Sequence, residues 1–364
     1  MKIAIFHNYL DNIGGAEIVT LTLARELNAE IYTTNIDKEK IKKMGFSDIL
    51  PKIKSIGKIP INAPFRQQVA LYKFRKLNLN KQYNFYIICG DWAMSGAVNN
   101  HPNLWYVHSP IREIWDAYKY TRKNIVPWFA RPAFDIWVYF NRYLNKKYIK
   151  SVENIACNSK NTQNRLKKFL NKDAQVINPP IETKKFKFNK FGHYWLSINR
   201  LLPPKRVDLQ IKAFSRMPDK KLVIIGSYEK SRNFLKYAGY IKSIKPKNVE
   251  LISWAEDKKI INLYANCKGF ITTSIDEDFG MTVLEAMASG KPVIAPNEGG
   301  YKETVTSKTG ILIDNIDENK IVDAVKQLEE DIRKNKNIVK ACQKQAKKFD
   351  TKVFIKKIKQ IIYS

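Results

Sequence analysis

Apolar residues in this chain come in short unbroken runs separated by longer stretches with helical spacing. KIAIFH (2–7) is the first run; EIYTT (30–34), FYIICG (85–90), LWYVHS (104–109), NIACNS (154–159) and AQVIN (174–178) follow it. Runs of this length without polar alternation predict strands buried on both faces. A helix is expected from about Ala16 to Leu27, and further helical stretches lie between the later strands. Pro179 and Pro180 interrupt the pattern, and a polar, Lys-rich passage runs on to Lys190. Alternation restarts with YWLSIN (194–199), KLVIIG (221–226), VELIS (249–253), GFITTS (269–274), KPVIAP (291–296) and GILID (310–314). Helices are expected near 206–216, 230–244, 256–266, 281–289 and 317–335, with a last amphipathic stretch over 339–362. Strands alternating with helices predict parallel sheets covered on both faces, with ligands at the carboxyl ends of the strands. A length of 364 residues suits two such domains, expected over 1–185 and 186–345.

Composition narrows the function classes. Cys89, Cys157, Cys267 and Cys342 lie far apart in apolar surroundings with no short ligand spacing. That predicts free thiols in a reducing compartment and no structural metal. MKIAIFHN carries too short an apolar run for a signal peptide, and no run of about 18 apolar residues exists to span a bilayer. A cytoplasmic protein is expected, in solution or peripheral to the inner face of a membrane. The formal net charge is +30, which admits nucleic acid, acidic lipid or phosphorylated small molecules as partners. Residues 51–150 concentrate it, with seventeen Lys or Arg against four acids. Within that segment, residues 118–148 add ten aromatics. Two readings stand: helices resting on an anionic membrane surface, or helices packed on a core with a basic outer face.

Three places carry candidate chemistry. In HNYLDNIGGAE (7–17), Gly14 and Gly15 sit between the first strand and the first helix, where free amides and the helix dipole favour a phosphate. The spacing is not GxGxxG, which argues against a dinucleotide fold. In SIDEDFGMTVLEAMASGKPVIAP (274–296), Gly280 opens a helix that Gly290 and Pro292 close. Glu277 precedes this helix and Glu285 lies about one turn inside it, away from the Val283/Met287 stripe. The amides of Met281, Thr282 and Val283 face an anion, and the two carboxylates are suited to accept sugar hydroxyls. In SINRLLPPKRVDLQIKAF (197–214), Arg200 and Lys205 flank a Pro-Pro turn at a strand end and are suited to neutralise a leaving diphosphate.

Together these motifs resemble the family-4 glycosyltransferases, retaining enzymes of the GT-B fold with two Rossmann-like parallel-sheet domains facing across a cleft. GGAE after the first strand, N-R-L-x-P-x-K-R-x-D after the first strand of the second half, and E-D-F-G-x-x-x-L-E-A carry the likeness from residue 1 to about 315. YVHSPIREIWD (106–116) and EDFGMTVLEA (277–286) look closest to the mannosyltransferase branch of surface-polysaccharide synthesis. The resemblance implies an acceptor-binding N-terminal domain, a nucleotide-sugar-binding C-terminal domain, and a helix over 346–364 that crosses back onto the first. It implies that Glu277, with the backbone of Phe279 and Gly280, holds the donor sugar. Thr282 and Val283 amides would meet the phosphates, and Glu285 the ribose. Arg200 and Lys205 would grip the diphosphate, and Gly15 would approach it from the other domain. His108 would sit beside the sugar, Arg112 and Asp116 would help bind the acceptor, and Trp254 would line the base pocket. GSYEKS (226–231) departs from the Gly-Asp-Gly turn frequent in the family.

The implied reaction moves a sugar, with mannose from GDP-mannose the first expectation, to a glycan or lipid-linked acceptor with retention. The two domains would close to exclude water. No cofactor beyond the nucleotide sugar is expected. Asp276-Glu277-Asp278 spells D-x-D, a metal–diphosphate motif in another transferase fold, but the loop offers too few oxygen ligands for a hard cation. Rival readings are an epimerase or phosphorylase on the same frame, a basic nucleic-acid binder, and an inactive membrane scaffold. No RNP, KH or zinc signature accompanies the charge, so nucleic acid is not an expected partner.

Overall fold

A computed structural model describes residues 1–63, 65–227 and 232–364. The chain divides into two compact units, Met1–Asn178 with Phe354–Ser364, and Pro179–Val353. The junctions fall at Asn178/Pro179 and Val353/Phe354, where the sequence expectation put them at 185/186 and 345/346.

In the first unit the strands are β1 (Ile3–Phe6), β2 (Glu30–Thr33), β3 (Ile53–Ser55), β4 (Phe85–Ile88), β5 (Asn103–Val107), β6 (Asn154–Cys157) and β7 (Gln175–Val176). They form one sheet in the order β3-β2-β1-β4-β5-β6-β7, with every pairing parallel. Residues of β1, β4 and β5 are buried throughout, which is why these runs lack polar alternation. The edge strand β3 was not expected. It is three residues long, follows a 3-10 turn and exposes Lys54 and Ser55, so it carries no apolar run. Helices α1 (Gly15–Glu26), α2 (Lys38–Lys43), α3 (Phe65–Lys76), α4 (Tyr118–Asn124), α5 (Arg131–Tyr148) and α6 (Lys160–Leu170) belong to this unit. Phe354, from the C-terminal segment, packs edge-on against Tyr106 with ring centroids 5.5 Å apart.

The second unit has β8 (Tyr194–Arg200), β9 (Lys221–Ser227), β10 (Val249–Ile252), β11 (Phe270–Ile271), β12 (Val293–Pro296) and β13 (Gly310–Ile313). Their order is β10-β9-β8-β11-β12-β13, again with parallel pairings. The helices are α7 (Val207–Ser215), α8 (Arg232–Ser243), α9 (Asp257–Asn266), α10 (Met281–Ala288), α11 (Tyr301–Thr304), α12 (Glu318–Lys334) and α13 (Ile338–Lys347). The expected single amphipathic stretch over 339–362 is two helices, because the chain turns at Lys348–Asp350 before α14 (Thr351–Ile362). All four cysteines are free and buried. Of the GSYEKS departure, residues 228–231 lie outside the described residues.

Candidate active site

The second unit's site forms where strand ends meet glycines. After β11 the chain reaches Asp276, which is in the left-handed region at φ 44°, and Gly280, at φ 88°, caps α10 without a side chain. Gly280 is required on two counts. Its φ favours glycine, and a Cβ would lie 2.5 Å from the Tyr301 ring. A glycine pair, Gly299 and Gly300, supports the same loop. A Cβ on Gly299 would meet the Glu277 carbonyl oxygen at 2.3 Å, and one on Gly300 would meet the Phe279 Cα at 2.5 Å. The Gly300 amide donates to the Glu277 carbonyl at 2.8 Å. The Glu277 loop therefore lies directly on the backbone that follows β12.

Cations approach this loop from the end of β8. Lys205 Nζ lies 2.5 Å from Glu277 Oε2, with the two side chains 20% and 23% exposed. Burial pushes the Glu277 carboxyl up, but Lys205, the Ser274 hydroxyl and Arg200 pull it down further, so it is held below its ordinary value. Arg206 is a residue to which the sequence reading gave no role. It sits at φ 47°, donates from Nε to the Thr273 carbonyl at 2.6 Å, and pairs with Glu298 at 3.1 Å. The Ile275 amide donates to the Pro204 carbonyl at 2.8 Å. These bonds tie the Pro-Pro turn to the Glu277 loop.

Glu285 is half-buried on α10. The Tyr264 hydroxyl lies 2.9 Å from its Oε2 and 3.2 Å from the Thr282 carbonyl. Burial raises the Glu285 carboxyl above its ordinary value against the opposing pull of Tyr264. Val283 needs a correction as an amide donor. Its N–H is already bonded to the Gly280 carbonyl at 3.2 Å and its side chain is fully buried, so it anchors the helix start. No helical carbonyl lies ahead of the amides of Met281 and Thr282, and these two can face an anion. Phe279 is buried, and its ring lies 5.6 Å from that of Phe349. Trp254, two residues past β10, is 41% exposed.

The first unit gathers a different set of groups at the carboxyl ends of β1, β4 and β5, the three central strands. His108 follows β5. Its Nε2 is buried and has no hydrogen-bond partner among the described residues, and its ring packs edge-on to Tyr106 at 5.2 Å. Burial lowers its pKa to about 3, with His7 adding to the effect and Glu17 opposing it. His108 is therefore a neutral imidazole at physiological pH. His7, directly after β1, has Nε2 4.0 Å from Glu17 Oε1 and Nδ1 3.2 Å from the Thr20 hydroxyl. That hydroxyl donates to the Ala16 carbonyl, which leaves its oxygen to accept from Nδ1. Gly14 is the N-cap of α1, and a Cβ there would lie 2.6 Å from Glu17 Oε2; Gly15 is exposed. After β4, Asp91 accepts from Asn8 Nδ2 at 2.5 Å and from the Trp92 amide at 2.9 Å, and burial raises its carboxyl. Burial and the Asp91 charge lift Glu113 to about 7. Arg112 and Asp116 are bonded to each other at 2.8 Å, and Arg165 stands 3.7 Å from Asp116.

Sequence reasoning thus missed His7, Asn8, Glu17, Asp91 and Glu113 in the first unit, and Arg206, Tyr264, Glu298, Gly299 and Gly300 in the second. The one legible signal was E-G-G after β12, which repeats the glycine pair after β1. Among the described residues no group of three or more His, Cys, Asp and Glu side chains is placed to hold a metal ion.

Residues 180–346 match the family model described as glycosyl transferases group 1. The alpha-1,3/1,6-mannosyltransferase ALG2 of Saccharomyces cerevisiae is 29% identical over 84% of this chain and 71% of its own length. A GDP-mannose-dependent monoacylated alpha-(1-6)-phosphatidylinositol monomannoside mannosyltransferase of Corynebacterium glutamicum is 32% identical over 36% of this chain and 37% of its own length. In overall structure, Anabaena Alr3699/HepE, solved with UDP-glucose, superposes with a TM-score of 0.77 at 17% identity, covering 100% of this chain and 99% of that one. Residues 180–346 are a glycosyl transferases group 1 domain, and the chain is a glycosyltransferase of the GT-B fold.

Proposed function

We propose that this glycosyltransferase moves a mannosyl residue from GDP-mannose to a lipid-linked or glycan acceptor with retention at the anomeric carbon, as a family-4 enzyme. The observation that carries the reading is the Lys205–Glu277 pair, 2.5 Å apart, with Glu277 on a loop held by glycines before α10 and Lys205 on the turn after β8. A carboxylate kept ionised there accepts hydrogen bonds from sugar hydroxyls. Lys205, Arg200 and the amides of Met281 and Thr282 face the diphosphate and stabilise the charge that grows on it as the anomeric C–O bond breaks. The acceptor oxygen forms the new bond on the same face, and its proton passes to the departing diphosphate. Glu285 takes the ribose and Trp254 the base. His108, neutral and with an unsatisfied Nε2, offers the sugar a hydrogen-bonding partner without adding charge. Arg112 and Asp116 serve the acceptor. No metal takes part, since Lys205 and Arg200 neutralise the diphosphate.

Mannose and GDP rest on the similarity to the yeast and corynebacterial mannosyltransferases. A lipid-linked acceptor places the enzyme at the inner face of an anionic membrane; no helix among the described residues is long and apolar enough to cross one. The test is thermal unfolding with GDP, UDP and ADP and their sugars. A ligand at about a hundred times its Kd adds ~2.7 kcal/mol of apparent stability. GDP and GDP-mannose should give that shift and Glu285→Ala should lose it. A shift with uridine or adenine nucleotides alone overturns the donor assignment.

A further inference from the structure

The segment 118–148 is read by the structure as two-faced. On α5, Phe134, Trp137, Val138, Asn141, Leu144 and Asn145 turn inward. Phe134 stacks with Tyr118 and Trp137, Trp137 packs on Trp92, and Asn145 accepts from the Trp115 indole at 3.1 Å. Asn141 accepts from Gln68 of α3 at 2.8 Å. The opposite face is apolar too, and nothing among the described residues covers it. Ile136, Tyr139, Phe140 and Tyr143 recur at i, i+3, i+4 and i+7, so they form one stripe. Trp128 and Phe129, on the turn before α5, add to it, and all six are between 51% and 79% exposed. Scattered exposed apolar residues need no explanation, but six large ones on a helix and its leading turn form a patch of the kind that marks an interaction surface.

Charge says what covers it. Residues 118–148 hold seven Lys or Arg and a single acid, Asp135. That acid is already engaged by Arg122 at 2.8 Å and by the Tyr118 hydroxyl. Exposed Lys146 and Lys147 continue the stripe at its C-terminal end, and exposed Lys123 lies ahead of its N-terminal end. Two copies of this face meeting each other would bring like charges together with no acid to answer them. A bilayer carrying anionic lipid satisfies both halves of the pattern. Tyr and Trp rings settle at the headgroup level, Ile and Phe reach the acyl boundary, and the lysines meet lipid phosphates.

We infer that the outer face of α5 with Trp128 and Phe129 is the surface by which this enzyme seats itself on an anionic membrane. The inference rests on the proposed lipid-linked acceptor and names the part of the chain that brings the enzyme to it. The test uses the full chain with vesicles of phosphatidylcholine, with and without phosphatidylglycerol, in low salt. Wild type should sediment with the anionic vesicles and not with the neutral ones. Ile136→Ser/Tyr139→Ser/Phe140→Ser should partition about tenfold or more weakly, and Lys146→Gln/Lys147→Gln about thirtyfold more weakly, because two attractive charges are lost. Both variants change exposed side chains, and unchanged thermal unfolding confirms their fold. Wild type that ignores anionic lipid overturns the inference, as do variants that sediment like wild type. Concentration-dependent self-association abolished by the Ser variant, without vesicle binding by wild type, assigns the face to a second copy and also overturns it. The GDP-mannose shift, read on the same samples, reports on the transferase reading separately, since none of the substituted residues belongs to the donor site.

Discussion

Lys205→Met removes one partner of the Lys205–Glu277 ion pair in the proposed donor site while keeping most of the side-chain volume. At 2.5 Å and an effective dielectric near 20, the gross attraction between Lys205 and Glu277 is on the order of 6 kcal/mol. Both side chains retain about a fifth of their exposure, so water offsets much of that, and a net coupling of roughly 1–3 kcal/mol is expected. The single variant should cost the most, because it strands a carboxylate that burial already disfavours. Glu277→Gln should cost less, since Lys205 can turn its ammonium to solvent. The double variant should recover the coupling in stability and recover nothing in activity. Calorimetry on all four proteins closes the cycle. The pH dependence gives an independent check. Glu277 is held below its unfolded value, so the pair's stabilisation is present above that value and lost as pH falls through the folded one. In Lys205→Met the acid-side loss should shrink. A coupling below about 0.5 kcal/mol, with the acid limb unchanged, refutes the pair as a structural and electrostatic unit.

Gly300→Ala should destabilise the second unit by about 1–3 kcal/mol and weaken donor binding, because the new methyl meets the backbone of Phe279 and Asp278, which cannot turn aside; unfolding and donor titration together check it. Glu113→Gln should be nearly neutral at pH 4 and stabilising by up to about 3 kcal/mol at pH 8. The carboxyl titrates near 7 when folded and near 4.5 when unfolded, so the penalty for ionising it accrues as pH rises between those values and is complete above them. Chelator should leave turnover intact; turnover that collapses and returns on adding Mg or Mn would show that the cations do not suffice.

The division into two parallel-sheet units was legible because buried parallel strands need apolar residues on both faces, and short runs such as FYII and VIAP recur in alternation with longer stretches of helical spacing. Glu277, Gly280 and Glu285 were legible for a related reason. Two carboxylates eight positions apart flank a glycine that opens a helix, a combination that helix geometry alone does not require. Other pairings of distant positions were not legible. Arg206 and Glu298 are 92 positions apart, and His7 meets Glu17 only because α1 returns across the end of β1. Among so many lysines and arginines a single cation carries no signal until the fold brings a carboxylate to it. Val283 was misread because the spacing places an amide at the helix start but does not show that the Gly280 carbonyl already holds it.

The two groups of residues differ in how their charge is arranged, and the difference follows the chemistry proposed for each. In the second unit Glu277 has a cation on it, and the loop that carries it is fixed by the close backbone contact of one glycine pair, Gly299 and Gly300. Fixed, paired charge suits a diphosphate, whose charge is permanent and grows during the reaction. In the first unit burial drives His108, Glu113 and Asp91 toward neutrality instead, while Arg112 and Asp116 stay paired with each other. His108 falls to about 3, Glu113 rises to about 7 and Asp91 rises as well. An acceptor hydroxyl is neutral until late in the transfer, and an unpaired ionised carboxylate or imidazolium beside it would have to be desolvated for no gain. Neutral groups would recognise it at lower cost, and His108, neutral with an unmet Nε2, would meet the hydroxyls of the donor sugar on the same terms. On this reasoning, substitutions in the first unit should alter acceptor choice and the pH profile. Substitutions at Lys205, Glu277 and the glycines around them should alter donor affinity first.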